Sequence, residues 1–316
     1  MQAVILAAGR GTRLKPLTDF RSKAMVPILD KPIVARVLNS IYLNGIRKFI
    51  IVVSLVDSTI KNYFYDNLPK DAEIQFVLQE VQNGTAGALE IAAPLIKEDF
   101  LVSACDSLYP SHVIGELISL FEKTNSDAVM AVMKASKETI NKSSAITLNE
   151  KGEIISIIEK PNIEEIDTDT LGLPLYIFKQ KSLGLLSKIE FSLRGEKEIP
   201  DALKIIISGQ GSLPCVYVPY RHDLTSLDDL KRINIEFLKD PDQQLTKSYE
   251  YATDLVINDP VLISGRIEVG NNCEFGPNVL IEGGASVGNN VRIENSIILS
   301  TAVIPDNEYI FDQVCY

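Results

Sequence analysis

Short apolar segments alternate with amphipathic segments over more than half of the chain. Short runs of apolar, β-rich residues are typical of strands covered on both faces, and the segments between them have the period of helices. The predicted strands lie at 3–6, 49–53, 74–78, 100–102 and 128–132, and the predicted helices at 33–45, 85–96 and 112–123. This alternation predicts an α/β domain with a Rossmann-like, mostly parallel mixed sheet, whose ligands bind beyond the carboxyl ends of the strands.

A different pattern occupies the last quarter of the chain. Eight apolar residues recur there at intervals of six, and glycine directly follows three of them. A period of six is typical of a parallel β-helix, in which equivalent aliphatic side chains stack in successive coils. We therefore expect a short β-helix that buries a face against the first domain or another subunit. The eight residues are Ile257, Ile263, Val269, Phe275, Ile281, Val287, Ile293 and Leu299.

The two patterns divide the 316 residues into three parts. We expect an α/β domain over 1–239, a polar linker over 240–256 and the β-helix over 257–316. The apolar segments are too short to span a membrane, and the amino terminus lacks the basic residues of a signal sequence, so a cytoplasmic protein without membrane association is predicted. The four cysteines lack CxxC spacing, which argues against a disulfide framework or a zinc site.

Glycine and positive charge are concentrated where the first predicted strand ends. The stretch LAAGRGTRLKPLTDFRSK at 6–23 carries five basic residues against one acid, although the whole chain has a net charge of −11. Gly9 and Gly11 let backbone N–H groups approach an anion, so this loop is a candidate phosphate site. The spacing fits neither a dinucleotide fingerprint nor a P-loop, and a tight turn with solvated arginines is the alternative. The overall acidity argues against a nucleic-acid partner.

The stretch LAAGRGTRLKPLTDFRSKAMVPILDKP at 6–32 resembles the signature of the sugar-1-phosphate nucleotidylyltransferases. Further segments match the family in its order: QEVQNGTAGAL at 79–89, FLVSACD at 100–106, EKP at 159–161, RGEKEIPDAL at 194–203 and HDLTSLDDL at 222–230. The resemblance covers about 1–239, and a left-handed hexapeptide β-helix is a common appendage in the same family. It implies an enzyme that makes a nucleotide-sugar and pyrophosphate from an NTP and a sugar 1-phosphate.

The resemblance implies catalysis by charge rather than by proton transfer. Arg13 and Lys23 match the cations that neutralise the departing pyrophosphate and the charge on the α-phosphoryl group. Asp106 and Asp223 match the aspartates that bind Mg²⁺, which bridges the NTP phosphates. A general base is not needed, because the attacking sugar phosphate is already ionised.

The resemblance also implies binding residues for each substrate. Gln79 and Gly84 match positions that read the base, whereas Lys160 and Arg194 match contacts to the sugar phosphate and Glu159 a contact to a sugar hydroxyl. The nucleotide-binding set is Leu6, Ala8, Gly9, Gly11, Thr12, Gln79, Gly84 and Thr85. The sugar-phosphate-binding set is Ser144, Glu159, Lys160, Gly172 and Arg194.

Departures from the family pattern bear on the sugar. Ser144-Ala145 stands where many relatives have a Tyr-Gly pair, and the segment 172–176 lacks an asparagine that touches the sugar in relatives. Gln79 favours a uracil or thymine edge, which predicts UTP or dTTP as the nucleotide. The resemblance implies glucose 1-phosphate as the sugar. A mannose-1-phosphate guanylyltransferase stays open as the alternative, because Gly84-Thr85-Ala86-Gly87 also occurs in guanylyl-transferring relatives.

Each site residue alone also has a purely structural interpretation. Asp106 has the position of a strand-end cap, and Asp223, ahead of a predicted helix, has that of a turn former. Glu159-Lys160-Pro161 fits a solvated strand end, and Gly84-Thr85 fits a helix start. The occurrence of all six segments in family order favours a functional interpretation.

Two other functions compete with catalysis of this reaction. A bifunctional relative would use its β-helix as an acetyltransferase with a catalytic histidine, but the predicted β-helix contains no histidine. A regulatory or assembly subunit of the same fold, as in a translation-initiation exchange factor, would be expected to lack the phosphate-handling charges that this chain retains. We expect a homo-oligomer, because the end coil of a short β-helix offers unpaired edges.

Overall fold

The computed structural model describes residues 1–54, 59–192, 195–240 and 254–316. The chain forms two compact units that alternate along the sequence. The first comprises Met1–Arg10, Ser22–Met25 and Val34–His222, and the second comprises Gly11–Arg21, Val26–Ile33 and Asp223–Tyr316. The domain boundaries at 239 and 257 stay predictions, and most of the predicted linker lies outside the described residues.

Strands and helices alternate up to residue 239. The strands are β1 (Gln2–Leu6), β2 (Pro27–Ile28), β3 (Lys31–Pro32), β4 (Lys48–Ser54), β5 (Glu73–Gln79), β6 (Phe100–Ala104), β7 (Ser107–Leu108), β8 (Ala128–Lys134), β9 (Ser144–Leu148), β10 (Ile154–Glu159), β11 (Thr170–Phe178), β12 (Cys215–Tyr217) and β13 (His222–Asp223). The helices are α1 (Ile33–Leu43), α2 (Thr59–Asn67), α3 (Thr85–Ala92), α4 (Val113–Thr124), α5 (Lys137–Ile140), α6 (Ile199–Ser208) and α7 (Leu227–Lys239). Every predicted strand and helix is present, although α3 ends earlier and continues as a 3₁₀ turn over Ala93–Leu95.

β1 lies inside the main sheet, between β4 and β6, and is parallel to both. The sheet continues through β5 on one side and through β11, β9 and β10 on the other, while β8 pairs with β11 and β12 pairs with β8. β5 is parallel to β4, whereas β11 is antiparallel to β6, β8 and β9. The predicted Rossmann-like, mostly parallel mixed sheet is confirmed.

The middle of the sheet is buried, as its all-apolar strands predict. Val4, Ile50 and Val102 lie in three adjacent strands and are almost wholly shielded from solvent. Phe100 and Phe178 stack in the same core with their ring centroids 5.6 Å apart. Burial of one such side chain stabilises the fold by about 1.5–3 kcal/mol. The central strands therefore form a stable base for the loops that follow them.

The described residues 254–316 form a β-helix of short parallel strands in three sheets. Its strands are β14 (Val256–Ile257), β15 (Val261–Ser264), β16 (Glu268–Val269), β17 (Glu274–Phe275), β18 (Val279–Glu282), β19 (Ser286–Val287), β20 (Arg292–Glu294), β21 (Ile297–Ile298), β22 (Val303–Ile304), β23 (Tyr309–Phe311) and β24 (Val314–Cys315). The sheets have the orders β14-β17-β20-β23, β15-β18-β21-β24 and β16-β19-β22. The predicted β-helix is confirmed, and its left hand stays a prediction.

The hexapeptide period breaks at the corner between β20 and β21. Up to β20, paired residues are eighteen positions apart, whereas Ile281 pairs with Ile298, seventeen positions on. This corner is one residue shorter than the two equivalent corners before it, and Asn295 closes it with a left-handed φ of 47°. The corner between β23 and β24 has the same shortened length. The prediction that Leu299 is the eighth stacked residue is therefore wrong, because Ile298 occupies that place.

Asn234 of α7 anchors the hairpin formed by β2 and β3, and all of these residues belong to the second unit. Its fully buried Oδ1 accepts a hydrogen bond from the backbone N–H of Leu29 at 2.6 Å. Its Nδ2 donates to the carbonyl groups of Pro27 at 3.3 Å and Leu230 at 2.8 Å. Leu29 has a left-handed φ of 55°, and the bond to Asn234 compensates for that strain.

α7 begins with a capping box. The Oγ of Ser226 accepts from the backbone N–H of Asp229 at 3.2 Å, and Oδ2 of Asp229 accepts from the backbone N–H of Ser226 at 3.0 Å. The helix is therefore capped by Ser226 and not by Asp223, which lies in β13.

Asp229 is expected to contribute stability that is lost in acid. Burial raises the pKa of this carboxyl, but hydrogen bonds from Thr225, Arg232 and Ser226 outweigh burial and lower it overall. A carboxylate whose folded pKa is lowered stabilises the protein above its unfolded pKa near 4, and this contribution is lost as the pH falls through the folded value. Asp229→Ala should lower the free energy of unfolding at pH 7 by about 1 kcal/mol, and the difference from wild type should shrink below about pH 4.

Urea denaturation at a series of pH values measures this difference. Asp228→Ala is the matched control, because Asp228 is exposed in the first turn of the same helix and takes no part in the capping box. An equal loss of stability in both variants, or a loss in Asp229→Ala that does not depend on pH, would contradict the prediction.

No helix in the part of the chain that the structure describes is long and apolar enough to cross a membrane. All four cysteines lie in that part, and none of them forms a disulfide.

Candidate active site

Predicted site residues lie where three parallel strands of the first unit end. Leu6 ends β1, Gln79 ends β5, and Asp106 comes two residues after the end of β6. Because β1, β4, β5 and β6 are parallel, these residues lie along one edge of the sheet. The backbone N–H of Cys105 donates to the carbonyl of Leu6 at 3.2 Å, which carries the pairing of β1 and β6 up to that edge.

The strands beyond β6 bring the predicted sugar residues to the same edge. β11 is antiparallel to β6, and Leu175 pairs with Ser103, so Gly172 lies beyond the carboxyl end of β6. In the next strands Ser144 pairs with Gly172, and Glu159 pairs with Ser144. Gly172, Ser144 and Glu159 therefore form a row, hereafter the sugar row, that continues the edge at which β1 and β6 end.

Gly172 contributes backbone rather than a side chain to the sugar row. A Cβ atom there would lie 2.5 Å from Cε of Met130 and 3.2 Å from Cβ of Ser144. The register of β11 against β8 shifts directly afterwards, between Gly172 and Tyr176. Such a bulge bends the strand. The segment 172–176, where the sequence departs from the family pattern, is therefore bent and tightly packed.

Lys23 and Asp106 form an ion pair within the first unit. Nζ of Lys23 contacts Oδ2 of Asp106, and the two side chains are only 12% and 23% exposed. Partial burial strengthens the interaction of these charges, because less water screens them. The pair joins a predicted catalytic cation to a predicted metal ligand that lies 83 residues later in the chain.

The donor atoms at Asp106 suit a hard cation held largely by substrate. The described residues contain no group of three or more His, Cys, Asp or Glu side chains arranged to hold a metal. Mg²⁺ usually binds through one or two carboxylates, water and substrate phosphates rather than in an all-protein cage, so a partly exposed aspartate at the sheet edge fits it. Asp223, the second predicted ligand, lies in the second unit.

Gln82 fixes the start of the candidate phosphate-binding loop at 6–23, hereafter the phosphate loop. Its Nε2 donates to the carbonyl of Ala8 at 3.0 Å, and its Oε1 accepts from Nε of Arg10. Gly9 lies between these two residues and is exposed. Gln82 has no role predicted from the sequence, where its only signal is its place inside the segment 79–89.

Gln79, Asn83 and Gly87 pack against one another at the start of α3. Gln79 is buried, and its Nε2 donates to Oδ1 of Asn83 at 3.1 Å. A Cβ atom at residue 87 would lie 2.0 Å from the same Oδ1, so Asn83 fits only because that residue is glycine. The amide of Gln79 is thereby held in one orientation, as a base-reading role would require.

Gly84 ties the start of α3 to the segment ahead of α6. Its φ of 100° and ψ of 177° fall in a region that is essentially restricted to glycine. The backbone N–H of Lys197 donates to the carbonyl of Asn83 at 2.8 Å, and the backbone N–H of Ala86 donates to the carbonyl of Lys197 at 2.9 Å. Gly84 lies between these two bonds, and a Cβ atom there would lie 2.3 Å from the carbonyl oxygen of Lys197.

Glu198 is a buried carboxylate to which sequence reasoning assigned no role. It is 8% exposed and accepts a hydrogen bond from Oγ1 of Thr85 at 2.9 Å, while Nζ of Lys160 lies 3.9 Å from its other oxygen. Burial raises the pKa of Glu198, and the nearby charge of Glu159 raises it further. Glu198 thus joins a predicted nucleotide residue to a predicted sugar-phosphate residue. Its one signal in the sequence was its place in the segment 194–203.

Lys160 lies at a sharp turn directly after β10. It has a left-handed φ of 47°, and its backbone N–H donates to the carbonyl of Ser143 at 2.5 Å. Oγ of Ser144 donates to the carboxylate of Glu159, and the Lys160 side chain stays partly exposed. The turn therefore presents a carboxylate and an ammonium group side by side at the end of the sugar row.

Four further predicted site residues lie outside the first unit as the structure describes it. Gly11, Thr12 and Arg13 belong to the second unit, where Gly11 has a left-handed φ of 61° and precedes a 3₁₀ turn over Thr12–Leu14. Thr12 and Arg13 are exposed. Arg194 lies outside the described residues. The functional roles assigned to all site residues stay predictions.

Two family models match the chain. One, described as Nucleotidyl transferase, matches residues 2–236. The other, described as GMPPB C-terminal domain, matches residues 257–315. The first alone covers well over half of the chain.

Curated proteins of archaea are similar to the chain. It is 35% identical over 239 residues to the bifunctional protein GlmU of Methanococcus maripaludis. The matched residues cover 75% of this chain and 54% of that protein. It is 30% identical to the bifunctional protein GlmU of Methanococcus vannielii, covering 99% of this chain and 77% of that protein. It is 28% identical to the UTP–glucose-1-phosphate uridylyltransferase AglF of Haloferax volcanii, covering 80% and 98%. The chain thus spans about half the length of the first of these relatives.

Solved structures of UDP-glucose pyrophosphorylases are also similar to this chain. A UDP-glucose pyrophosphorylase complexed with UDP-glucose has a TM-score of 0.69 at 25% identity, covering 75% of this chain and 98% of that chain. An apo UDP-glucose pyrophosphorylase, with a TM-score of 0.65 at 24% identity, shows the same fold. Because the first family model covers most of the chain and a relative of 30% identity covers 99% of it, the chain belongs to the nucleotidyl transferase family, among the sugar-1-phosphate nucleotidyltransferases.

Proposed function

We propose that this protein transfers a nucleotidyl group from an NTP to a sugar 1-phosphate, giving an NDP-sugar and pyrophosphate. The observation that carries the proposal is the sheet edge at which the Lys23–Asp106 pair and the sugar row both lie. A cation, a carboxylate and polar groups for a sugar are what nucleotidyl transfer to a sugar phosphate requires. The similarity to AglF and to a UDP-glucose pyrophosphorylase supports the same class of reaction.

In the proposed reaction an oxygen of the sugar phosphate attacks the α-phosphorus of the NTP, in line with the leaving pyrophosphate. One P–O bond forms as the bond from the α-phosphorus to the β-phosphate oxygen breaks, and no proton has to move. Arg13 and Lys23 would neutralise the negative charge that builds up on the transferred and departing phosphates. Fixed charges in a partly buried site stabilise such a transition state more than they would in water.

The family generally uses a divalent metal, and we propose Mg²⁺ for this chain. Asp106 and Asp223 would hold it. When bound, the ion would neutralise phosphate oxygens of the NTP and of the leaving pyrophosphate.

We propose UTP or dTTP as the nucleotide and glucose 1-phosphate as the sugar. Gln79, buried and oriented by Asn83, would offer its amide to a uracil or thymine edge. Glu159 would accept a hydrogen bond from a sugar hydroxyl, and the partly exposed Lys160 would pair with the sugar phosphate. The names of AglF and of the solved UDP-glucose pyrophosphorylase agree with a uridine nucleotide and glucose.

The second candidate is a mannose-1-phosphate guanylyltransferase. The observation that favours it is the match of residues 257–315 to the GMPPB C-terminal domain. The resemblance of the Gly84–Gly87 segment to guanylyl-transferring enzymes is in keeping with it. We do not propose an acetyltransferase activity, because the β-helix sequence contains no histidine.

A screen of pyrophosphate release tests the proposal. Purified protein with Mg²⁺ is supplied with UTP, dTTP, GTP, CTP or ATP and with the 1-phosphate of glucose, mannose, galactose or N-acetylglucosamine. The proposal expects the fastest release with UTP or dTTP and glucose 1-phosphate, whereas release with GTP and mannose 1-phosphate would support the second candidate. If no pair released pyrophosphate and no nucleotide bound, the proposal would be wrong and a regulatory subunit would be favoured.

We also propose that the protein forms a homo-oligomer. Sedimentation velocity of the full chain measures its mass in solution. A mass equal to that of one 34.9 kDa chain at micromolar concentration would contradict this proposal.

A further inference from the structure

Arg21, at the end of the phosphate loop, contacts the β-helix within the second unit. Its Nη1 donates to Oε1 of Glu282 at 2.8 Å, and its Nη2 donates to Oγ of Ser300 at 2.8 Å. The side chains of Arg21 and Glu282 are 21% and 22% exposed, so the ion pair is partly shielded from water. The two partners lie more than 250 residues later in the sequence, so neither the motif nor its spacing indicated this contact.

The site that receives Arg21 is fixed by the β-helix itself. Glu282 ends β18, and Ser300 follows β21, the neighbouring strand of the same sheet. The second oxygen of Glu282 accepts from the backbone N–H of Ser300 at 2.9 Å. Gly284 closes the turn after β18 with a φ of 99°, and a Cβ atom there would lie 3.1 Å from the carbonyl oxygen of Ser300. The acceptors for Arg21 are therefore positioned by the stacking of two coils.

Hydrogen bonds connect Arg21 to the beginning of the loop. Its backbone N–H donates to the carbonyl of Leu17 at 3.2 Å. Oγ1 of Thr18 donates to the carbonyl of Gly11 at 2.9 Å, and the backbone N–H of Leu14 donates to the same carbonyl at 2.8 Å. Leu14 and Leu17 are buried, so the segment from Gly11 to Arg21 is a compact loop held at both ends.

We propose that Arg21 is a positioning residue for the nucleotide, and that Glu282 and Ser300 make the β-helix a support for the phosphate loop. The inference rests on the proposed function, because it takes Gly11, Thr12 and Arg13 as ligands of the NTP phosphates. A loop that is ordered before the nucleotide arrives loses less conformational entropy on binding, so the anchor strengthens nucleotide binding. The β-helix thus serves the site of its own chain in addition to any role in assembly.

Three variants test the inference. Arg21→Ala removes the guanidinium, and Glu282→Gln removes the negative charge but keeps the shape of its partner. Lys231→Ala is the matched control, because Nζ of Lys231 pairs with Asp312 at 2.8 Å and so joins α7 to the β-helix without involving the loop. Hydrogen–deuterium exchange measures the backbone of residues 11–21, and steady-state kinetics measures kcat and the KM of each substrate.

Arg21→Ala and Glu282→Gln should both speed exchange in residues 11–21. They should also raise the KM for the nucleotide by about tenfold, the factor that corresponds to one charge-assisted hydrogen bond, with a smaller effect on kcat and none on the KM for the sugar phosphate. Lys231→Ala should leave exchange in the loop and both KM values unchanged. The inference is overturned if exchange in the loop is unaffected in Arg21→Ala, if the nucleotide KM stays constant while exchange rises, or if Lys231→Ala produces the same changes.

Failure of the proposed function would give a different result. A wild-type protein that releases no pyrophosphate with any substrate pair would overturn that function and, with it, the role of Arg21 in nucleotide binding. Exchange in residues 11–21 would still show whether Arg21 anchors the loop to the β-helix, because that measurement needs no substrate.

Discussion

Lys23→Ala is expected to lower kcat for pyrophosphate release by about 10²–10³-fold, the usual effect of removing one group that stabilises transition-state charge. Its side chain is only 12% exposed and its ammonium group is paired with Asp106 at the sheet edge, so water cannot readily compensate for the lost positive charge. Asp106→Ala should cause a loss of similar size, because it removes the proposed ligand of Mg²⁺. Steady-state kinetics with the best substrate pair of the screen measures both.

An ion pair that only stabilises the fold would behave differently. In that case Lys23→Ala and Asp106→Ala would each lower the melting temperature, and the double variant would recover stability and activity together. Lys134→Ala is the matched control, because Lys134 forms an exposed ion pair with Asp169 on the same unit and should keep full activity. Turnover in Lys23→Ala close to that of wild type would show that the proposed role of Lys23 is wrong.

Gly84→Ala is expected to destabilise the protein more than any of the variants described above. Its φ of 100° and ψ of 177° strain any residue with a side chain, and the new Cβ would lie 2.3 Å from a carbonyl oxygen of Lys197 that cannot rotate away. The two effects together should lower the free energy of unfolding by about 2–5 kcal/mol. Because α3 must then shift, the KM for the nucleotide should rise more than the KM for the sugar phosphate. Urea denaturation and steady-state kinetics measure these two results.

Gly152→Ala separates conformational strain from collision. Gly152 also has a positive φ, of 78°, but a Cβ atom there would meet no atom within 4 Å. This variant should lose only about 1–2 kcal/mol and keep both KM values. If Gly152→Ala and Gly84→Ala were equally stable and equally active, the contact between Gly84 and Lys197 would have no role in holding α3.

The sequence predicts the fold of this chain well because strand burial and helix periodicity are local patterns. The buried strands β1, β4, β6 and β8 are nearly all apolar, whereas β5, at the end of the sheet, is only partly buried. The hexapeptide period is repeated often enough to indicate a β-helix. The error at Leu299 has a local cause that the pattern cannot show. One residue is missing from the corner between β20 and β21, where Asn295 closes the shorter turn. Ile298 and Leu299 are both apolar, so the hydrophobic pattern fits either of them.

The site is less predictable from sequence because its supporting contacts join distant segments. Lys23 and Asp106 were predicted individually from the family resemblance, whereas their pairing depends on the sheet order. Gln82, Glu198 and Arg21 received no role, since each acts by holding another residue in place and such residues have no motif of their own. Their partners are distant in the sequence and are identified only from the folded chain.

Product analysis by ³¹P nuclear magnetic resonance tests the central claim most directly. UTP, glucose 1-phosphate and Mg²⁺ are followed with wild-type protein and with Lys23→Ala. The proposed mechanism predicts that the resonances of an NDP-sugar and of pyrophosphate grow in equal amounts with the wild-type protein and far more slowly with the variant. Formation of orthophosphate without a nucleotide-sugar, or consumption of UTP at the same rate in both proteins, would contradict it.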